Sequence, residues 1–327
     1  MHAGRHYSIR EIAVWTRRES AVFLLLSLIP TALYSIGGYH WLAMPWLPIA
    51  MIGTTVAFIT GFKNNASYSR LWEARHIWGS IVNISRQWAM LVLSHFPDDS
   101  SRKRFIWRHF AWLTALRYQL REARAWEQTD RAQNLEFKNL YKVAEWSEPL
   151  HLELAPLLSP AELSLVLSRK NHAIHLLVLQ SEDLARSIGS GEIAELRRIE
   201  MQALISALVD AQGKCERIKN FPFPRQLATL NLLFVWLFIL LVPFGLLQEF
   251  QKLGANLVWC TVPASMIVSW VFHTMDKIGD SSENPFEGSP NDVPITAMSR
   301  NIEIDLREML GDCSVPPALQ PQNNILM

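Results

Sequence analysis

Residues 61–75 read GFKNNASYSRLWEAR, and they follow a stretch, Ala21 to Phe62, that holds no Asp, Glu, Lys or Arg. Charge enters abruptly at Lys63. No proline or glycine occurs between Phe62 and Gly79, so nothing in the local sequence stops a helix that enters this stretch. The reading that decides the fold is therefore a helix that starts among apolar neighbours and continues into water.

The rest of the chain has the same segregation. Half of its 327 residues are hydrophobic, with 13 tryptophans, and two more stretches, Leu227–Leu247 and Leu253–Phe272, are free of charge. A bilayer core takes about 20 apolar residues as helix, since within lipid each backbone group must be satisfied inside its own segment. Gly37, Gly38, Pro45 and Pro48 with Trp41 and Trp46 make a turn with interfacial aromatics inside the first stretch. Four spans are expected, at residues 21–36, 47–62, 227–247 and 253–272, with Pro30 weakening the first. The competing reading is a buried helical hairpin in a soluble protein.

Orientation follows from basic residues near span ends. Arg5, Arg10, Arg17 and Arg18 precede span one, Lys63, Arg70 and Arg75 follow span two, and Arg225 precedes span three. Residues 1–20, 63–226 and 273–327 are thus expected in the cytoplasm. The apolar run begins late and lacks a small-residue cleavage site, so no cleavable leader is expected. Cys215, Cys260 and Cys313 have no metal-like or disulfide spacing. A formal charge of +1 argues against a general nucleic-acid binder.

The region between Lys63 and Pro224 has helical periodicity. Asp98, Asp99, Ser100 and Ser101 offer caps for a helix carrying Ile106, Phe110, Leu113, Leu116 and Leu120 on one face. Arg102, Lys103, Arg104, Arg108, Arg117, Arg121 and Arg124 are expected on its other faces, solvated or near lipid headgroups. Ser159, Pro160 and Glu162 form a capping box for a helix to about Ser187, broken by Gly189, Ser190 and Gly191. A further helix follows to Gly213, Pro222 and Pro224 redirect the chain, and a last helix covers about Thr296–Leu310. Residues 314–327 are proline and asparagine rich and are expected to be poorly ordered.

Catalytic motifs are absent: there is no Walker loop, GxSxG, HExxH or CxxC. His172 and His175 have helical spacing but read as an ordinary amphipathic face, and Glu73, Asp210 and Glu216 as ion-pairing or capping groups. No enzyme, metal or cofactor is expected. Span two is more informative, because Thr54, Phe58 and Phe62 recur every four residues on one helix face, and Asn65 and Ser69 extend that face. Such a stripe on an arbitrary span packs against neighbouring helices or lipid.

GFKNNASYSRLWEAR resembles the signature after the second span of bestrophins, particularly the bacterial ones. DAQGKCERIKNFPFP, Asp210–Pro224, and ENPFEGSPNDVP, Glu283–Pro294, agree with it, as does the four-span layout. The resemblance implies an all-α homopentameric channel around a central pore, each subunit with four transmembrane helices and a large helical cytoplasmic region. It implies a hydrophobic neck at Thr54, Phe58 and Phe62, where Thr54 departs from the usual large aliphatic residue. Asn65 and Ser69 would line the pore below it, and Ile174 a cytoplasmic constriction; a core isoleucine is the alternative for Ile174. The ions implied are monovalent, chloride and other anions first, with sodium as the alternative. In animal members an acidic cluster after Asn-Pro-Phe binds calcium; here Glu287 and Asp292 are its sparse remnant, expected to serve turns. A membrane scaffold that binds a partner protein is the rival from another class.

Overall fold

Helix α1, Ile9–Ser35, starts where Ser8 Oγ accepts the Glu11 N–H at 3.2 Å and Glu11 accepts the Ser8 N–H at 2.6 Å. That reciprocal box satisfies two of the donors that a helix start leaves open. After a short 3-10 turn, His40–Leu42, helix α2 runs from Trp46 to His95. Its 50 residues span about 75 Å at 1.5 Å each. It passes Lys63 without interruption, as the missing breakers predict. This is a computed structural model, and it describes residues 1–127, 140–189 and 194–327.

The remaining helices are α3, Asp99–Arg121; α4, Pro160–Leu167; α5, His172–Gly189; α6, Glu195–Asn220; α7, Arg225–Leu253; α8, Thr261–Ser281; and α9, Ile295–Met309. Two short turns of helix, Ala144–Ser147 and Leu150–Leu154, precede α4. Among the described residues there is no strand, only isolated bridges such as His2 with Ile325. The all-helical expectation agrees with this.

The described residues fall into two units. The first holds residues 4–70 and 222–283, hence α1, the start of α2, α7 and α8. Its core joins Phe23, Ile49, Val56, Val235, Phe238, Ile239 and Val242. Small residues let its helices approach: a Cβ on Gly53 would lie 2.6 Å from the Phe238 ring. Large apolar side chains remain exposed on the outside, including Leu25, Ile29, Leu233, Leu240 and Ile267. A face of that size and composition suits lipid or a partner helix.

Three segments are long and apolar enough to cross a membrane among the described residues: His40–His95, Arg225–Leu253 and Ala255–Ser281. The first expected span is not one of them. Helix α1 continues through Pro30, but it begins among Arg10, Glu11, Arg17, Arg18 and Glu19, which dilute its apolar half.

The second unit holds residues 1–3, 71–221 and 284–327, packed around a core that includes Trp78, Trp88, Phe105, Trp112, Leu116, Leu176 and Leu208. Helix α3 starts as its cap residues predict, with Asp98 accepting the Ser101 N–H at 2.7 Å. The basic faces of α3 differ from expectation. Arg108, Arg117 and Arg121 are buried. Arg108 pairs with Glu162 at 2.5 Å and Asp183 at 3.0 Å, Arg117 with Glu145 at 2.5 Å, and Arg121 with Asp292 at 3.3 Å. The carboxylates come from distant segments, so these charges hold the unit together instead of meeting water. Against the opposing effect of burial, the Arg108 and Ser159 hydrogen bonds keep the Glu162 carboxyl below its ordinary range.

The capping box at Ser159 forms, yet the expected helix to Ser187 is two helices, α4 and α5, broken at residues 168–171. Asn171 restarts the chain by accepting the Ile174 N–H at 3.0 Å, a capping role that competes with helix continuation. Helix α5 extends to Gly189; the expected breakers Ser190 and Gly191 lie outside the described residues. Helix α6 continues past Gly213 to Asn220 before the two prolines. The tail also departs from expectation: Ile325 and Met327 are buried with Tyr141 and Val143, and the Met327 carbonyl accepts the Ala297 N–H at 2.6 Å.

Candidate functional site

Within the first unit, α2 has two unlike faces. Gly53, Val56, Thr60, Lys63 and Ser67 are buried, at steps of three and four, whereas Thr54, Phe58, Phe62, Asn65 and Ser69 are exposed. Phe58 is 66% and Phe62 58% exposed, values that a water-facing phenylalanine pair on a monomer would not favour. Their rings meet edge to face, 4.5 Å between centroids and 87° apart. The Thr54 hydroxyl donates to the Ala50 carbonyl at 3.0 Å and the Ser69 hydroxyl to the Asn65 carbonyl at 2.8 Å. Thr54 thus spends its donor on its own helix, which makes its outer face less polar than its composition suggests. All five sequence-derived positions share one exposed face, apolar from Thr54 to Phe62 and polar from Asn65 onward.

The opposite face carries a site that the sequence reading misses. Lys63, taken there as an interfacial charge, is only 1% exposed. Its Nζ donates to Asp276 Oδ1 at 2.6 Å and Asp280 Oδ1 at 2.5 Å, both on α8. Asn231 of α7 donates to the same Asp276 oxygen at 2.7 Å and accepts from Thr60 Oγ1 at 3.0 Å. Asn64 Nδ2 adds a bond to the Met275 carbonyl at 2.9 Å. A buried ammonium requires a charged partner, and two aspartates one helical turn apart at the end of an apolar stretch were the available signal. Arg225 and Arg70 are likewise engaged, Arg225 by the Glu283 carboxylate and Arg70 by the Glu283 carbonyl at 3.0 Å. Another pair, Lys277 with Glu19 at 2.9 Å, joins α8 to α1.

Ile174, in the second unit, is half-buried and packs against the main core there. Beside it, Glu216 Oε1 accepts from Gln119 at 2.7 Å, Asn171 at 2.9 Å and Gln212 at 2.8 Å. Glu73 pairs with Arg217, and Asp210 with Lys214 at 2.6 Å, so the three carboxylates singled out by sequence serve as hydrogen-bond and ion-pair partners. Among the described residues no group of three or more His, Cys, Asp or Glu side chains is placed to hold a metal ion, and His172 and His175 have no such companions. The Cys215 thiol is buried, and burial pushes its pKa up.

The segment after Asn284 does not reproduce the calcium site that the resemblance implies for animal members. Asp292 Oδ2 accepts the Gly288 N–H at 2.7 Å and meets Arg121 at 3.3 Å, while Oδ1 accepts from Ser289 Oγ at 2.5 Å. Glu287 accepts from Asn284 Nδ2 at 3.2 Å. With a guanidinium on the main carboxylate, the donor set does not suit a divalent cation, and the two acids close the turn instead. Gly288 is needed for that turn: its φ is +94°, and a Cβ there would meet the Trp146 ring at 2.5 Å.

A long two-faced helix with an exposed apolar-to-polar stripe, on an apolar helical unit, defines a membrane protein with a candidate ion pathway. The family described as "Bacterial/Fungal Bestrophin protein" matches residues 10–308, and the chain belongs to it. Among curated proteins it is similar to the voltage-dependent anion channel-forming protein YneE of Escherichia coli K12, 25% identical over 323 residues, covering 97% of this chain and 96% of that one. It is also similar to the voltage-dependent anion channel-forming protein RSc3414 of Ralstonia nicotianae, 27% identical, covering 84% and 82%. A crystal structure of a bacterial bestrophin homolog from Klebsiella pneumoniae shares the fold, with a TM-score of 0.76, 23% identity, and coverage of 90% of this chain and 98% of that one.

Proposed function

We propose that the chain is one subunit of a homopentameric channel in the bacterial inner membrane that passes small monovalent anions, chloride foremost, through a hydrophobic neck. The observation that carries this reading is the α2 stripe, in which Thr54, Phe58 and Phe62 are exposed in line with Asn65 and Ser69. Five copies arranged around an axis would turn these faces inward and bury the apolar side chains that one chain leaves uncovered. The anion-channel names of the relatives support the ion class. Four spans with both termini inside are retained, with α1 as a less apolar fourth span that charge pairs with α8 accommodate.

The mechanism follows from hydration. An ion stripped of water among apolar rings costs tens of kcal/mol in idealised Born terms, so a narrow dry neck carries no current. Phe58 and Phe62 would gate by wetting and drying, and would not bind the ion. Ring edges carry partial positive charge, which favours an anion over a cation passing close. Below the rings, Asn65 and Ser69 would hydrate the path, and Ile174 would narrow its cytoplasmic end. No calcium step enters, since Asp292 is committed to Arg121.

Purified protein reconstituted in planar bilayers under a chloride gradient tests this. A current whose reversal potential follows chloride is expected. A reversal potential that follows sodium would replace the anion with a cation of the same pathway, and no current above protein-free bilayers across pH and voltage would leave the scaffold reading.

A further inference from the structure

We infer that Lys63, Asp276 and Asp280, with Asn231 and Thr60, form a rotational lock on α2 that holds the Phe58 and Phe62 rings in the closed neck. The inference rests on the reading of those rings as a gate, and it names the residues that position them.

Successive residues on a helix stand about 100° apart, so the direction of Lys63 dictates that of Phe62. Lys63 is fixed by two acceptors on α8, at 2.6 and 2.5 Å, which lie at i and i+4 on one face of that helix. One acceptor would leave the ammonium free to swing about it; two hold it along the α8 axis as well. Thr60, one turn earlier on the buried face of α2, reaches Asp276 through Asn231, at 3.0 and 2.7 Å. Thus α2 is tied to α7 and α8 at two levels of the same face. Gly279 lets α8 come this close, since a Cβ there would stand 2.1 Å from Asn64 Oδ1.

Turning α2 far enough to swing the rings aside would withdraw the ammonium from both carboxylates in a site where Lys63 and Asp276 are almost fully buried. Separating a buried pair in that way is strongly unfavourable. The ring orientation seen here, which the lock assigns to the closed state, is therefore stabilised by contacts on the face away from the rings. The two carboxylates are not equivalent. Asp276 accepts from Asn231 as well as from Lys63, so it belongs to both arms. Asp280→Asn would leave one ion pair and loosen the lock; Asp276→Asn would weaken both arms, because a neutral amide oxygen accepts less strongly than a carboxylate from Lys63 and from Asn231.

The test is single-channel recording of wild type, Asp280→Asn, Asp276→Asn, Lys63→Arg and Thr60→Val, with pentamer assembly checked by size exclusion. Asp280→Asn is expected to raise the open-to-closed ratio about tenfold, the low end for losing a hydrogen bond to a charged group, with conductance and reversal potential unchanged. Asp276→Asn should raise it further, and Lys63→Arg should stay within about threefold of wild type because a forked cation satisfies the same pair. Thr60→Val removes the uncharged arm without stranding a charge, so it serves if the aspartate variants fail to assemble, and should raise the ratio about threefold. An unchanged or lowered ratio in the assembled variants overturns the lock. A silent wild type would instead overturn the channel reading on which it rests.

Discussion

The Phe58 and Phe62 rings meet edge to face, 4.5 Å between centroids, on the exposed side of α2. Each ring supports the other's orientation, and an edge-to-face pair contributes roughly 0.5–1.5 kcal/mol beyond its buried area. Removal of either ring should therefore widen the proposed neck and release its neighbour. Phe58→Ala and Phe62→Ala are each expected to raise mean current about tenfold, equivalent to ~1.4 kcal/mol off the barrier to conduction. The double variant should exceed both. Unchanged conductance and open probability in bilayer recordings would remove the pair from the gate.

Close helix approach in the same unit gives a stability prediction. A Cβ at Gly53 would lie 2.6 Å from the Phe238 ring, which is itself buried in the core of the unit. Gly53→Ala is expected to destabilise the detergent-solubilised protein by about 1–3 kcal/mol, the usual range for overpacking. Adding Phe238→Leu should restore part of the loss. A thermal midpoint unmoved by Gly53→Ala would contradict the close approach.

Arg108 predicts the cost of stranding buried charge. Its guanidinium spans Glu162, Asp183 and, at 3.1 Å, Gln180. Arg108→Met should cost about 3 kcal/mol, the low end for breaking a buried pair, because Glu162 loses its cation while Asp183 keeps Arg104 at 2.8 Å and Arg186 at 3.3 Å. Arg108→Lys keeps the charge and loses the fork, so it should cost less, yet remain measurable. Denaturant or thermal unfolding of the two variants reads the order directly; equal losses would mean that packing, and not the fork, sets the cost.

His109 sets an acid limit. Its ring is buried, its Nε2 lies 2.8 Å from Ser85 Oγ, and burial pushes its pKa down to about 3. An unfolded histidine titrates near 6.5. Between about pH 6.5 and pH 3 the unfolded chain thus holds one more proton than the folded one, and this group lowers stability by ~1.4 kcal/mol per unit as pH falls. Above about pH 6.5 its contribution is constant. His109→Gln should flatten the acid slope of the unfolding midpoint by that amount; a slope identical to wild type would show that other groups dominate.

The helices with strong local signals were legible from sequence. Ser8, Asp98 and Ser159 mark helix starts that form, and Pro222 and Pro224 mark the break before α7. The unbroken passage of α2 through Lys63 followed from missing breakers, and the common face of Thr54, Phe58, Phe62, Asn65 and Ser69 from helical geometry. Less legible was the break at residues 168–171, where a capping contact by Asn171 overrides a pattern compatible with one longer helix.

What the sequence by itself determined is whatever depends on neighbours a few residues apart: helix caps, periodic faces, and the apolar stretches that call for lipid. Tertiary structure decided the fate of the charges. Lys63 looks like an interfacial anchor until Asp276, 213 residues away, meets it at 2.6 Å, and Arg108 looks solvated until Glu162 and Asp183 enclose it. Whether a charge faces water or a partner depends on which distant helix lies against it, and that is set by packing across the whole unit.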